Sequence, residues 1–107
     1  MLVSLSPAAL IRALGRYQMP YKIENIKTET WHRIIEDLKA SGFEETYLYG
    51  GMDAGIDYSR YDLVNPTDNE LIVFEWDNWM EGEIKATPSR LEELREKYGL
   101  SKLVENE

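Results

Sequence analysis

The most regular alternation of apolar and polar positions lies between residues 31 and 39. Trp31, Ile34, Ile35 and Leu38 recur at the i, i+3, i+4, i+7 spacing of one helical face, and His32, Arg33, Glu36, Asp37 and Lys39 take the other side. Thr28 or Thr30 is the expected cap at the start of this helix, and Gly42 the expected left-handed residue at its end. Another helix is expected before it. Ser6 stands as N-cap, and Pro7 follows at the first helical position, where a missing N–H goes unused. Leu5 and Leu10 have the spacing of a hydrophobic staple, and Leu10, Leu14 and Tyr17 share a face up to "RYQMP". A last helix is expected after Thr87. Pro88 opens it, Leu91, Leu94 and Tyr98 line one side, and "YGL" (98–100) has the Schellman form in which Leu100 folds back.

Between the helices the period changes to two. "TYLY" (46–49), "IDYSRYDLV" (56–64), "ELIVFEW" (70–76) and "EIKAT" (83–87) read as four strands. The glycine-rich "GGMDAG" (50–55) separates the first two. "NPTDN" (65–69) is a turn, with Pro66 presetting the first dihedral and Asn69 able to take a positive φ. "NWMEG" (78–82) is a hairpin loop with Gly82 expected at the left-handed position. This order predicts an α+β fold with two N-terminal helices, a four-stranded, mainly antiparallel sheet and one C-terminal helix. The helices form a single layer on one sheet face. Residues 1–107 read as a single compact α+β domain, with 1–4 and 101–107 expected to fray.

Strand alternation also assigns faces. Ile72, Phe74 and Trp76 form a wholly apolar set that should meet the helices, whereas Leu71, Val73, Glu75 and Asp77 point the other way. On the next strand Ile84 and Ala86 are apolar, and Glu83, Lys85 and Thr87 polar. Trp76 is therefore expected in the core, and Trp79, at the hairpin tip beside Met80, is not.

Composition adds a compartment and a partner. An apolar fraction of 43% and an aromatic fraction of 11% suit an ordinary core. With no cysteine there are no disulfides and no thiolate metal sites, which fits a reducing, cytoplasmic setting. No apolar run reaches the ~20 residues of a membrane span, and no secretory leader is expected, because Arg12 and Arg16 follow the N-terminal apolar stretch instead of preceding it. The net charge is −8; Arg12, Arg16 and Lys22 give the first 23 residues +3, which leaves −11 for the rest. A field of that sign repels phosphate backbones and anionic lipid and attracts cationic surfaces. Nucleic acid and membrane are thus poor partners, and a basic protein is the expected one.

The stretch "FEWDNWMEGE" (74–83) concentrates the candidate chemistry. Trp79 ringed by Asp77, Glu81 and Glu83 has the composition of an interface anchor with an acidic rim. Tyr47 and Tyr49 share a strand face, and on the outer side of the sheet they would join Glu75 in an aromatic-acidic patch. The expected partner-binding residues are therefore Tyr47, Tyr49, Glu75, Asp77, Trp79, Glu81 and Glu83. No catalytic residue is expected. His32, the one histidine, falls on the polar side of its helix, and "GGMDAG" lacks the lysine and following helix of a phosphate loop. Asp53 and Asp57 give too few oxygens for a calcium loop. No metal or cofactor is expected.

The leading expectation is a small acidic protein-binding module for a basic partner, of the kind represented by inhibitors and immunity proteins of toxic nucleases. One alternative is a metal-dependent hydrolase. Glu83-Ile84-Lys85 has the acid-x-Lys form of restriction-type nucleases, with Asp57, Asp62, Asp68 or Glu75 to supply the partner acid and Glu75 the one adopted, although Glu75 and Lys85 read better as a cross-strand ion pair. The other alternative is a self-associating subunit, a homodimer through its outer sheet face.

Overall fold

A computed structural model describes residues 19–53 and 56–106, with the backbone alone for Tyr49 and for residues 51–53 and 56. The helix expected from Ser6, the fraying expected at 1–4, and Ala54 and Gly55 of the glycine-rich connection lie outside these residues. The described chain runs β1 (Tyr21–Ile26), α1 (Thr28–Ala40), β2 (Glu44–Asp53), β3 (Ile56–Val64), β4 (Leu71–Asp77), β5 (Glu81–Ala86), α2 (Pro88–Tyr98) and β6 (Val104–Glu105). The strands form one six-stranded sheet in the order β2-β3-β4-β5-β1-β6, and every neighbouring pair is antiparallel.

This corrects the expected architecture. The fold is α+β, but the sheet has six strands instead of the expected four, and among the described residues a strand and a helix precede β2. The added strands are β1 and β6. β1 escapes a period-two reading because its register with β5 shifts between Ile23 and Ile26, where Asn25 takes φ 56°. The bulge turns both isoleucines to the buried side although they are three residues apart. β6 is too short, at two residues, to carry a period, and it is held as an edge on Tyr21 and Lys22 of β1.

Both described helices pack on one face of the sheet. Trp31, Ile34, Ile35 and Leu38 of α1 and Leu91 and Leu94 of α2 bury against Ile23, Leu63, Ile72, Phe74, Ile84 and Ala86. Trp31 is the centre of this core, with its ring edge-on to Phe74 (6.2 Å) and to Tyr61 (5.6 Å). The helices are tied together where Tyr98 donates its hydroxyl proton to the Asp37 carboxylate over 2.6 Å. Arg90 of α2 grips Glu70, at the foot of β4, through two hydrogen bonds of 2.7 and 2.8 Å. On the opposite face Met19, Val64, Leu71 and Val73 form a second, smaller buried cluster.

The capping chemistry is as expected at most termini. Thr87 accepts from the Arg90 N–H, Pro88 is the first residue of α2, and Gly99 at φ 66° closes it with the Leu100 N–H donating to Arg95. Gly42 (φ 116°) and Asn69 (φ 62°) take the left-handed conformations assigned to them. Among the described residues no helix is long and apolar enough to cross a membrane.

Candidate functional site

The β4–β5 hairpin ends in a three-residue turn, residues 78–80, between the paired positions Asp77 and Glu81. Its conformation is fixed from inside. The Asp77 carboxylate accepts from the backbone N–H of Trp79 (2.8 Å) and of Met80 (2.6 Å). It is also fixed from the side, because Asn78 brackets the start of β3. The Asn78 N–H donates to the Asp57 carbonyl (3.2 Å), and its side-chain oxygen accepts from the Asp57 N–H (3.0 Å). Trp79 is left 74% exposed and Met80 44%.

The left-handed residue of this hairpin is Glu81, at φ 58°, and not Gly82. Gly82 serves a different purpose. A Cβ placed there would stand 2.7 Å from Cγ and 3.0 Å from Cβ of Trp31, so glycine is what lets the Trp31 indole lie against the β5 backbone. The indole Nε1 then donates to the Glu83 carbonyl over 3.2 Å. With Gly82 committed to an extended, close-packed position, the turn closes one residue earlier on a side chain that tolerates the conformation less well.

Thr28 completes the support. It is the first residue of α1 and not its cap; Lys27 holds the cap position and makes no side-chain capping bond. The Thr28 hydroxyl accepts from Trp76 Nε1 (2.9 Å) and donates to the Glu81 carboxylate (3.4 Å). Trp76 is half-buried against the helix-side core, the side that strand alternation gives it. The hairpin end is therefore held by α1, by β3 and by its own aspartate.

The other sequence-expected residues lie on the sheet face away from the helices. Tyr47 stands opposite Asp62 and Tyr49 opposite Arg60 in the β2–β3 register, Arg60 stands opposite Glu75, and Glu75 opposite Glu83. Two glutamates directly opposed would repel, and the lattice of cations around them removes the conflict. Lys85 contacts Glu75 at 2.7 Å, the cross-strand pair anticipated above, and Lys22 contacts Glu83 at 3.2 Å and Glu24 at 3.3 Å. The Tyr58 hydroxyl also donates to Glu75 (2.8 Å). Farther along, Arg60 grips the fully buried Asp62 through two bonds of 2.9 and 3.3 Å, and its guanidinium lies 5.3 Å from the centre of the Tyr47 ring.

The electrostatics follow from these contacts. Burial alone would push the Glu75 carboxyl up. Hydrogen bonds from Lys85 and Tyr58 and the nearby charges of Lys85 and Arg60 outweigh it and hold the group below the ordinary glutamate value. Burial and the same Glu75 contact push the Tyr58 phenol strongly upward. The seven expected residues thus fall into two groups. Tyr47, Glu75, Glu83 and the register position of Tyr49 belong to a face on which Glu24, Asp62, Glu75 and Glu83 each contact a lysine or arginine. Asp77, Trp79 and Glu81 belong to the hairpin end.

The acid-x-Lys reading meets the same lattice. Glu75 already holds Lys85 and Tyr58, and Glu83 already holds Lys22, so a divalent ion between them would have to displace two ammonium groups. Among the described residues no group of three or more histidine, aspartate or glutamate side chains is placed to hold a metal ion. His32 is exposed, with its ring edge-on to Trp31 at 5.0 Å.

Sequence reasoning missed Thr28, Asn78 and Asp57 as supports of the hairpin end, and Arg60 and Asp62 as members of the face. For the turn a signal was present. An aspartate directly before "NWM" has the form in which a carboxylate accepts from the N–H groups two and three residues on. No family model matches the chain, and no curated protein or solved structure matches it.

Proposed function

We propose that this chain is a small acidic protein-binding module that engages a basic protein through the end of its β4–β5 hairpin. The observation that carries the reading is Trp79, left 74% in water on a turn held by four hydrogen bonds. An indole in water forgoes ~2 kcal/mol of burial, and Glu81 adds strain of about 1 kcal/mol at the same turn. Both costs are localised where the tryptophan is displayed. A turn whose backbone is already held loses little entropy on binding, and truncating such an anchor typically weakens an interface by ~2 kcal/mol or more.

Charge selects the partner. Asp57 and Glu81 are exposed beside the turn, and the chain as a whole carries −8. That field accelerates encounter with a cationic surface, and the buried indole then slows release. An inhibitor or immunity-type role, in which the acidic end masks the working surface of a basic partner, is in keeping with this size and charge.

The test is capture from a lysate of the source organism with tagged full-length chain, comparing the parent with Trp79→Ala. The expected result is one stoichiometric basic protein that is released by salt and lost in the variant. The variant should keep its stability to within ~0.5 kcal/mol, as a surface substitution does. Equal capture by both proteins, or a variant that melts like a core mutant, overturns the reading.

A further inference from the structure

The two edges of the sheet are built differently. At one edge β6 is only two residues long, and the C-terminal segment occupies the backbone of β1 around it. The Ser101 hydroxyl donates to the Glu24 carbonyl (3.3 Å), the Asn106 N–H to the Pro20 carbonyl (2.9 Å), and the Asn106 side chain to the Met19 carbonyl (3.0 Å). At the other edge β2 runs for 10 residues, and among the described residues β3 is the one strand beside it.

An edge strand presents a row of backbone donors and acceptors, and proteins ordinarily guard it with proline, lysine, bulges or brevity. β2, "EETYLYGGMD", contains neither proline nor lysine. Its register with β3 shifts once, between Glu45 and Tyr47, and then pairs residue for residue from Tyr47 to Asp53. Leu48 stands on this uninterrupted run and is 57% exposed, more than any other large apolar residue described outside the hairpin end.

We propose that the β2 edge takes up an extended, lysine- or arginine-bearing segment of the basic partner as an additional strand. The proposal rests on the reading that the partner is basic, but not on Trp79. Main-chain pairing supplies the attraction, and alternate side chains supply the selectivity. The charge of the edge decides between occupants. β2 carries Glu44, Glu45 and Asp53 and no cation. A second copy paired antiparallel about the strand centre would bring the Glu44 position of each chain opposite the Asp53 position of the other, whereas a cationic strand suits these acidic register positions; Lys39 of α1 reaches only Glu45, at 3.9 Å.

Backbone amide exchange on isotopically labelled full-length chain tests this, with a peptide of alternating lysine and valine as the probe. The expected result is slowed exchange at alternate amides of residues 44–53. It should persist in Trp79→Ala and be lost in Leu48→Lys, which installs the guard residue the strand lacks at an exposed position. Protection confined to residues 78–81 overturns the edge proposal and leaves the hairpin-end reading standing. Protection nowhere overturns the edge proposal as well. Protection of 44–53 without peptide, rising with protein concentration alongside a dimer in light scattering, makes a second copy the occupant and equally overturns it.

Discussion

Replacing Gly82 by alanine should be the most damaging single-methyl change at the hairpin. The new Cβ would sit 2.7 Å from Cγ and 3.0 Å from Cβ of Trp31, where carbon atoms ordinarily rest ~3.5–4.0 Å apart. Neither of those atoms is the far end of a flexible side chain, so the clash is relieved only by moving the α1 backbone or tilting the indole. Forced overpacking of this kind costs about 1–3 kcal/mol. Tilting the indole also breaks its hydrogen bond to the Glu83 carbonyl, worth ~1 kcal/mol net. The expected loss is therefore ~2–4 kcal/mol, a large part of the ~5–15 kcal/mol that holds a domain of this size. At ~4–8 °C per kcal/mol the melting temperature should fall by roughly 8–30 °C, read by circular dichroism and tryptophan emission together. Gly99→Ala is the control. It too replaces a glycine, but it meets no atom within 4 Å and suffers only the left-handed strain, about 1 kcal/mol. If Gly82→Ala is no worse than Gly99→Ala, the argument that Trp31 requires the glycine is wrong.

Asp77→Ala removes the acceptor for two backbone N–H groups that can turn to water instead, so it should cost only ~0.5–1.5 kcal/mol. Exchange at the Trp79 and Met80 amides should accelerate, and unchanged exchange there would show that the aspartate does not hold the turn. Glu75 has a folded-state pKa depressed below the ordinary 4.5, so its contribution to stability is present above that value and is lost as the pH falls through the folded value. Chemical denaturation of Glu75→Gln should show a deficit against the parent at pH 6 that closes in acid; a deficit independent of pH refutes the pairing account. Tyr98 runs the other way. Burial and then the Asp37 contact push its phenol from 10.0 up to about 12, so its contribution is complete below pH 10 and is lost as the pH rises through 12. Tyr98→Phe should therefore flatten the alkaline loss of stability, and an alkaline profile matching the parent's would count against it.

The core helices were legible because nothing interrupts their period. Trp31, Ile34, Ile35 and Leu38 keep strict helical spacing, and all four are buried. The chemistry of single turns was legible too, since Thr87-Pro88, Asn69 and "YGL" each act through their own backbone. What escaped depends on contacts distant in sequence. β1 hides behind a bulge, and the partners that define it are 61 to 65 positions away on β5, at Ile84, Lys85 and Ala86. Gly82 sat in a loop-like string and suggested a turn, but its requirement comes from Trp31, 51 residues earlier. The candidate site divided for a similar reason. Composition places acids near Tyr47 and Trp79, and only the strand register reveals that Lys22, Arg60 and Lys85 fall among those of the sheet face and leave the hairpin end as the unbalanced part.

The unequal edges have a consequence for growth. A cross-β array extends only if every added molecule accepts a strand on one side and offers a template on the other. Among the described residues the β6 side ends in two residues, with Ser101 bonded to Glu24 of β1 and Asn106 to Met19 and Pro20 just before it, so a molecule joined through β2 would offer no second long template there. Addition at β2 is a chain-terminating event. With β2 as the long edge among the described strands, pairing, and not fibre formation, would be the limit of self-contact through it.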